Sequence, residues 1–125
     1  MDAQKFTEKS LLALENAHSE AVRLKNSELS TLHILNALVT QENGLVPHIF
    51  ERMELDSGKL IRDLQESLKS LPTLTNGSTG RVAPSGEMNL ALVLAEDEAE
   101  KLKDEYVSVE HLLLALTDEG DNGPA

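Results

Sequence analysis

The chain has 125 residues, enough for one domain of ordinary size, and 40% of it is apolar, so a core can form although only 2% is aromatic. Eleven basic residues against 22 acidic ones leave a formal net charge of −11, which repels nucleic-acid phosphates and anionic lipid headgroups and argues against both as general partners. Without cysteine there are no disulfides and no thiolate metal sites, which fits a reducing compartment. No apolar run reaches the roughly 20 residues a membrane span needs, and the start MDAQKFTEKS lacks the basic and apolar regions of a signal peptide. An acidic, soluble, cytoplasmic domain is expected.

Ala13, Ala17, Ala21 and Leu24 step by about one helical turn, predicting an amphipathic first helix with Thr7 ahead of it as N-cap. Its alanine-rich stripe suits close approach of helix backbones. After a short polar link, Ser30 starts a second helix ending near Gln41, with Gly44 as the stop. Pro47 fits the first turn of a third helix over His48 to Glu54. Asp56 or Ser57 then caps a fourth, which carries Leu60, Ile61, Leu64 and Leu68 on one face. Residues 71–84 hold Pro72, Gly77, Gly80 and Pro84 among several hydroxyl residues and read as an exposed linker.

Beyond the linker the first pattern returns. A shift of 78 positions aligns Leu12–Leu38 with Leu90–Leu116 without a gap, and 13 of those 27 positions are identical. Helical composition alone produces scattered Ala and Leu matches. It does not also align Lys25, Ser30 and His33 with Lys103, Ser108 and His111 in one register. Residues 1–70 therefore form a first repeat of four helices, and residues 85–125 a second, with Ser85 as the cap of a fifth helix and Ser108 starting a sixth that ends near Asp118. Asn122–Ala125 align with Gly44–Pro47, so the second repeat is expected to be incomplete and the chain to be a piece of a longer polypeptide. Leu90, Leu94, Leu112 and Leu116 would then be partly uncovered. No segment alternates with period two, so the fold class is all-α.

Catalytic chemistry is missing. His18, His33, His48 and His111 make no i,i+4 pair and no His-Glu-x-x-His arrangement. His33 and His111 are repeat equivalents, expected to be hydrogen-bonded within the packing rather than to act as ligands or bases. Gly77–Arg81 lacks the Gly-Lys-Ser/Thr ending of a phosphate loop, and there is no nucleophile elbow. No enzyme activity, metal or cofactor is expected. The acids Glu96, Asp97, Glu98, Glu100, Asp104 and Glu105 read as the solvated face of the fifth helix, helped by an Asp97–Lys101 pair. Glu100 and Asp104 repel each other near the negative end of that helix, at a cost of a few tenths of a kcal/mol, which gives Asp104 a case for a functional role.

KDEYVSVEHLLLAL over residues 103–116, the opening KFTEKS and the duplication together resemble the Clp N-terminal domain, most closely the version carried by ClpB-type disaggregases. The resemblance implies two pseudo-symmetric four-helix repeats, of which six helices lie in this chain. It also implies a flexible tether to two ATPase modules of a hexameric AAA+ machine, where ATP and magnesium would bind. A shallow apolar groove would receive exposed hydrophobic segments of unfolded or aggregated clients and pass them to the central pore. Family positions tied to that activity fall on Thr7, Asp104 and Glu110. Thr7 fits a helix cap equally well, and Glu110 also suits the positive end of the sixth helix. Tyr106, the one aromatic of the second repeat, either lines the groove or is buried between the repeats.

Relatives that feed a protease and read phosphorylated arginine carry Glu before the repeat histidine in both halves. Here Glu110-His111 keeps that pattern, with Ser85 as the accompanying hydroxyl, but Leu32-His33 does not, and Leu cannot hold a guanidinium. That favours a disaggregase. An adaptor-docking domain of a protease-coupled unfoldase and a stand-alone regulatory protein remain as alternatives.

Overall fold

Both repeats open on a capped helix. In the computed structural model, which describes residues 3–73 and 82–117, a 3-10 turn at Ala3–Lys5 leads to α1 (Glu8–Arg23), and a two-residue strand β1 (Glu28–Leu29) leads to α2 (Thr31–Thr40). Helices α3 (Leu45–Arg52) and α4 (Gly58–Lys69) complete the first repeat. Strand β2 (Ala83–Pro84), α5 (Gly86–Lys101) and α6 (Val109–Thr117) follow. Thr7 Oγ1 accepts from the Ser10 N–H at 3.2 Å, and Ser85 Oγ accepts from the Met88 N–H at 3.1 Å, so both expected caps are made.

The ends of α1 and α5 are copies too. Lys25 and Lys103 each take a left-handed φ of 58°, and the next N–H turns back into the helix, Asn26 to the Ala21 carbonyl at 2.9 Å and Asp104 to the Ala99 carbonyl at 2.8 Å. This closure satisfies carbonyls that a helix end leaves unpaired. It also delivers Asn26 and Asp104 to the repeat histidines. The Ser30 N–H donates to His33 Nδ1 at 2.9 Å, and the Ser108 N–H to His111 Nδ1 at 2.8 Å. A backbone N–H can only donate, so Nδ1 is bare and the ring proton sits on Nε2. From there His33 donates to Asn26 Oδ1 at 2.8 Å and His111 to Asp104 Oδ2 at 2.9 Å. Each imidazole thus clamps the end of one helix to the start of the next, occupying the third helical position where a capping box carries Glu or Gln.

The two halves are joined by exchange. The Thr7 N–H donates to the Val107 carbonyl at 3.0 Å and the Val107 N–H to the Lys5 carbonyl at 2.7 Å, while the Ser85 N–H donates to the Leu29 carbonyl at 2.9 Å. Phe6 bridges to Val107 and Leu29 pairs with Pro84, both in parallel sense; with the 78-residue shift these are one contact made twice. The segment before the first helix of each repeat therefore lies on the link inside the other. Ser10, fully buried, adds a hydroxyl bond to the Val107 carbonyl at 2.7 Å. Beneath the seam, Ala13, Ala17 and Ala21 of α1 and Ala91, Ala95 and Ala99 of α5 are buried together with Ile34, Leu38, Leu112 and Leu116. Small side chains there let the helix axes approach.

Several local expectations are revised. Gly44 caps α3 rather than stopping α2, whose C-cap is Gln41; a Cβ at Gly44 would stand 2.9 Å from Gln41 Cβ. Helix α3 begins at Leu45, which leaves Pro47 within the first turn, where its missing N–H costs nothing. Ser57 is the N-cap residue of α4 but its side chain makes no capping bond, and Asp56 Oδ1 accepts from the Gly58 N–H at 2.8 Å instead. At the ends of the 71–84 segment Pro72, Thr73, Ala83 and Pro84 are exposed, but Val82 is buried and Pro84 pairs with Leu29. Residues 74–81, which include the Gly77–Arg81 stretch, and residues 118–125, which include Asp118 and Asn122–Ala125, lie outside the described residues. Helix α5 ends at Lys101, so Asp104 and Glu105 stand on the following loop, and Lys101 Nζ lies 3.7 Å from Glu98 rather than pairing with Asp97. Leu90 is exposed and Leu94 half-buried as expected, but Leu112 and Leu116 are buried, because like Ile34 and Leu38 they point into the seam. The open face of α6 carries Leu114 instead, 43% exposed, where its counterpart Asn36 is covered by Gln65 of α4 at 3.1 Å.

Burial holds the pKa of His33 below its ordinary value of 6.5. An unfolded chain then binds a proton at this residue more readily than the folded one. The His33 contribution to stability is full above pH 6.5 and lost as pH falls through the depressed folded value. Urea melts should show His33→Ala costing about 2–4 kcal/mol at neutral pH, since it leaves a cavity and the Oδ1 of buried Asn26 without its donor. His111→Ala should cost about 1 kcal/mol less, because the half-exposed Asp104 can turn to water. His33→Gln should flatten the decline in stability below pH 6.5.

Candidate functional site

The exchange brings the starts of α1 and α6 side by side. With the turn between α2 and α3 they frame a shallow groove of about 190 Å³, lined by Thr7, Lys9, Gln41, Leu45, Val109 and Glu110 among others. Two helix N-termini face it, and their unpaired N–H groups give this end of the molecule a positive bias within a strongly acidic chain. Glu110, exposed in the first turn of α6, sits where that bias favours a carboxylate.

Inside the groove the polar groups are unequally satisfied. Lys9 Nζ donates to the Glu42 carbonyl at 3.1 Å, and Gln41 Nε2 donates to the Lys9 carbonyl at 2.9 Å. Gln41 is only 5% exposed, yet its Oε1 is buried without a hydrogen-bond partner. A buried acceptor left open costs about 1–3 kcal/mol and is a standing invitation to a donor. Thr7, by contrast, is fully engaged: its hydroxyl caps α1 and donates to Ser10 Oγ at 2.9 Å, which in turn holds Val107.

Of the four residues singled out by the resemblance, Thr7 and Glu110 meet in this groove. Asp104 does not. Its carboxylate holds His111 and faces a separate depression of about 260 Å³ shared with Lys5, Glu96, Glu100 and Glu105. Tyr106 is 47% exposed, so it is not buried between the repeats, and it does not line the Thr7–Glu110 groove. The hydroxyl–carboxylate pairing also needs revision. The exchange sets Thr7, not Ser85, beside the α6 end that carries Glu110, and sets Ser85 on the Leu29 link before Leu32. The hydroxyl without a carboxylate opposite it is therefore Ser85, which faces Leu32 of the first repeat where Thr7 faces Glu110 of the second. Gln41 and Ser10 escaped sequence reasoning, because a Gln at a helix end and a Ser in a first turn look like solvated residues.

Among the described residues, no group of three or more His, Asp and Glu side chains is placed to hold a metal ion, and no helix is long and apolar enough to cross a membrane. The family model described as the Clp repeat (R) N-terminal domain matches residues 5–125.

The chain belongs to the Clp N-terminal domain family.

This Clp N-terminal domain is 41% identical over 121 residues to the chaperone protein ClpB of Nitratidesulfovibrio vulgaris, covering 95% of this chain and 14% of that one. The chain thus spans about one-seventh of the length of that relative. Among solved structures it is similar to the Hsp104 N-terminal domain of Candida albicans, with a TM-score of 0.82, 26% identity and coverage of 91% of this chain and 74% of that one. It also shares its fold with a ClpV N-domain solved in complex with a VipB peptide, at a TM-score of 0.66 and 20% identity, over 98% of this chain and 73% of that one.

The structural and surface roles of the two groove residues separate by substitution. Thr7→Val should cost about 1 kcal/mol in a urea melt, through the lost cap, while Thr7→Ser stays close to wild type. Glu110→Gln should change stability by no more than about 0.5 kcal/mol, as expected of an exposed side chain in a first turn.

Proposed function

We propose that this Clp N-terminal domain is the client-recognition module of a ClpB-type disaggregase. It binds exposed hydrophobic segments of unfolded or aggregated proteins weakly and passes them to a hexameric ATPase in the cytoplasm. The hexamer, ATP and magnesium belong to modules downstream of this chain, and the domain itself catalyses nothing. The observation that carries the reading is the groove between the repeats, where Leu45 and Val109 lie beside the Glu110 carboxylate and the unpaired Gln41 Oε1. An extended chain in any sequence offers apolar side chains to the wall at Leu45 and Val109 and a backbone N–H to the exposed Glu110 carboxylate. Low affinity follows, because the client is ordered on binding and must be released again.

Glu110 is the direct client contact in this account, and Thr7 shapes the wall through its cap. Asp104 and Tyr106 supply a second contact region outside the groove. A narrower reading, docking of one defined adaptor segment, is favoured by the ClpV N-domain that was solved with a VipB peptide. The two differ in selectivity.

Fluorescence anisotropy of a labelled, permanently unfolded protein, titrated with the chain, tests the proposal. Saturable binding in the micromolar range is expected, weakened threefold to tenfold by Glu110→Ala, with circular dichroism showing that the variant remains folded. A folded chain that shows no saturable binding to unfolded protein would overturn it and leave the adaptor reading.

A further inference from the structure

The groove at Thr7 and Glu110 rests on a link that one carboxylate holds from outside. Asp104 follows the closure of α5, and its Oδ2 accepts from His111 Nε2 at 2.9 Å. Nδ1 of the same ring accepts from the Ser108 N–H at 2.8 Å, with Ser108 Oγ 3.0 Å away. Helix α6 begins there, and its first two residues are Val109 and Glu110. One imidazole, 3% exposed, therefore ties Asp104 to Ser108, Val109 and Glu110, all of which line the groove. Midway along the link the Val107 carbonyl takes the Thr7 N–H and the Ser10 hydroxyl, so the same segment sets the opposite wall.

The first repeat shows what this device asks of the residue at its outer end. Lys25 takes the same left-handed turn as Lys103, and Asn26 Oδ1 accepts from His33 Nε2 at 2.8 Å. His33 Nδ1 takes the Ser30 N–H at 2.9 Å. Asn26 Nδ2 is turned the other way, toward the Pro72 carbonyl at 3.4 Å in the segment that covers it. An amide oxygen thus builds the same clamp as a carboxylate oxygen, at matching distances. The ring needs an acceptor from the outer residue, and it does not need a charge.

We propose that Asp104 is a positioning residue for client recognition: by accepting from His111 it sets where α6 starts, and so where Glu110 stands in the groove. The inference rests on the client-recognition reading and states how a residue outside the groove governs one inside it. Without an acceptor at position 104 the Nε2–H of a buried ring is left unpaired, which drives the ring to turn toward water. Nδ1 then leaves the Ser108 N–H, and the first turn of α6 loses the side chain that stands in for its capping box. Val109 and Glu110 move with that turn. Direct contact between the outer oxygen of Asp104 and a client is a separate effect, which adds to that of Glu110 without altering it.

A double-mutant cycle in the anisotropy titration with unfolded protein tests this. Glu110→Ala is introduced into the wild-type chain, into Asp104→Asn, which keeps the acceptor, and into Asp104→Ala, which removes it. The affinity lost with Glu110→Ala should remain at least threefold in the Asn background and fall below twofold in the Ala background. Without client, the Val109 and Glu110 amide shifts in NMR spectra should move in Asp104→Ala and stay in place in Asp104→Asn. His111→Ala cuts the same route from its other end, and it replaces Asp104→Ala if circular dichroism finds that variant unfolded. Factors that agree between the two backgrounds would overturn the proposal, whatever their size, and so would unmoved amides in Asp104→Ala. If such a result comes while the wild-type chain binds and Glu110→Ala weakens it, the positioning route alone has failed. If the wild-type chain does not bind, or Glu110→Ala has no effect on it, the client-recognition reading has failed and this inference with it.

Discussion

An imidazole that accepts on one nitrogen and donates from the other is the interaction on which the rest of this domain depends. His33 and His111 each take a backbone N–H at the start of a helix and give Nε2–H to the side chain that ends the previous one. Both ring nitrogens are committed in each copy, and at His33 burial favours the neutral ring that this arrangement uses. With the link between helices fixed in this way, Leu29 and Val107 present carbonyls outward at a set position. Those carbonyls are what the pre-helical segment of the opposite repeat binds. The seam, and with it the groove at Thr7 and Glu110, is a consequence of two histidines far below the surface.

The duplication would give a symmetric molecule if nothing else had changed, and the functional interest lies in the departures. Asn26, under a covering segment, became Asp104, open to solvent. The Asn36 that receives Gln65 of α4 became the exposed Leu114. Leu32 kept no carboxylate where Glu110 has one. Asp104 and Leu114 are thus exposed where their counterparts are covered, whereas the buried acceptor without a partner, Gln41 Oε1, lies in the first repeat.

Much of the architecture was legible in the sequence because it is local. Helix caps at Thr7 and Ser85 and the alanine stripes are patterns within a few turns, and the duplication aligns without a gap at one shift of 78 residues. The exchange between halves was not legible, since it joins Ser10 to Val107, 97 positions away, and Leu29 to Pro84 through strands of two residues, too short to show any alternation. That omission explains the misplaced pairing of Ser85 with Glu110. It also explains why Leu112 and Leu116 looked like an outer face. The candidate site was half legible. Thr7 and Glu110 followed from the family resemblance, whereas the role of Asp104 as the histidine partner could have been read from its register with Asn26, seven residues before His33. Gln41 gave no signal, because what marks it is a missing hydrogen bond.

If the exchange makes the two repeats one cooperative unit, the amides that cross the seam should be as hard to open as the core. Native-state hydrogen exchange of the Thr7, Ser85 and Val107 amides, set against buried amides of α2 and α6, measures this directly. The account predicts that all of them exchange only through global unfolding, with the same opening free energy and the same denaturant dependence. Seam amides that exchange through a separate, lower-energy opening, while α2 and α6 stay protected, would show that the repeats stand independently and that the groove is an incidental contact between them.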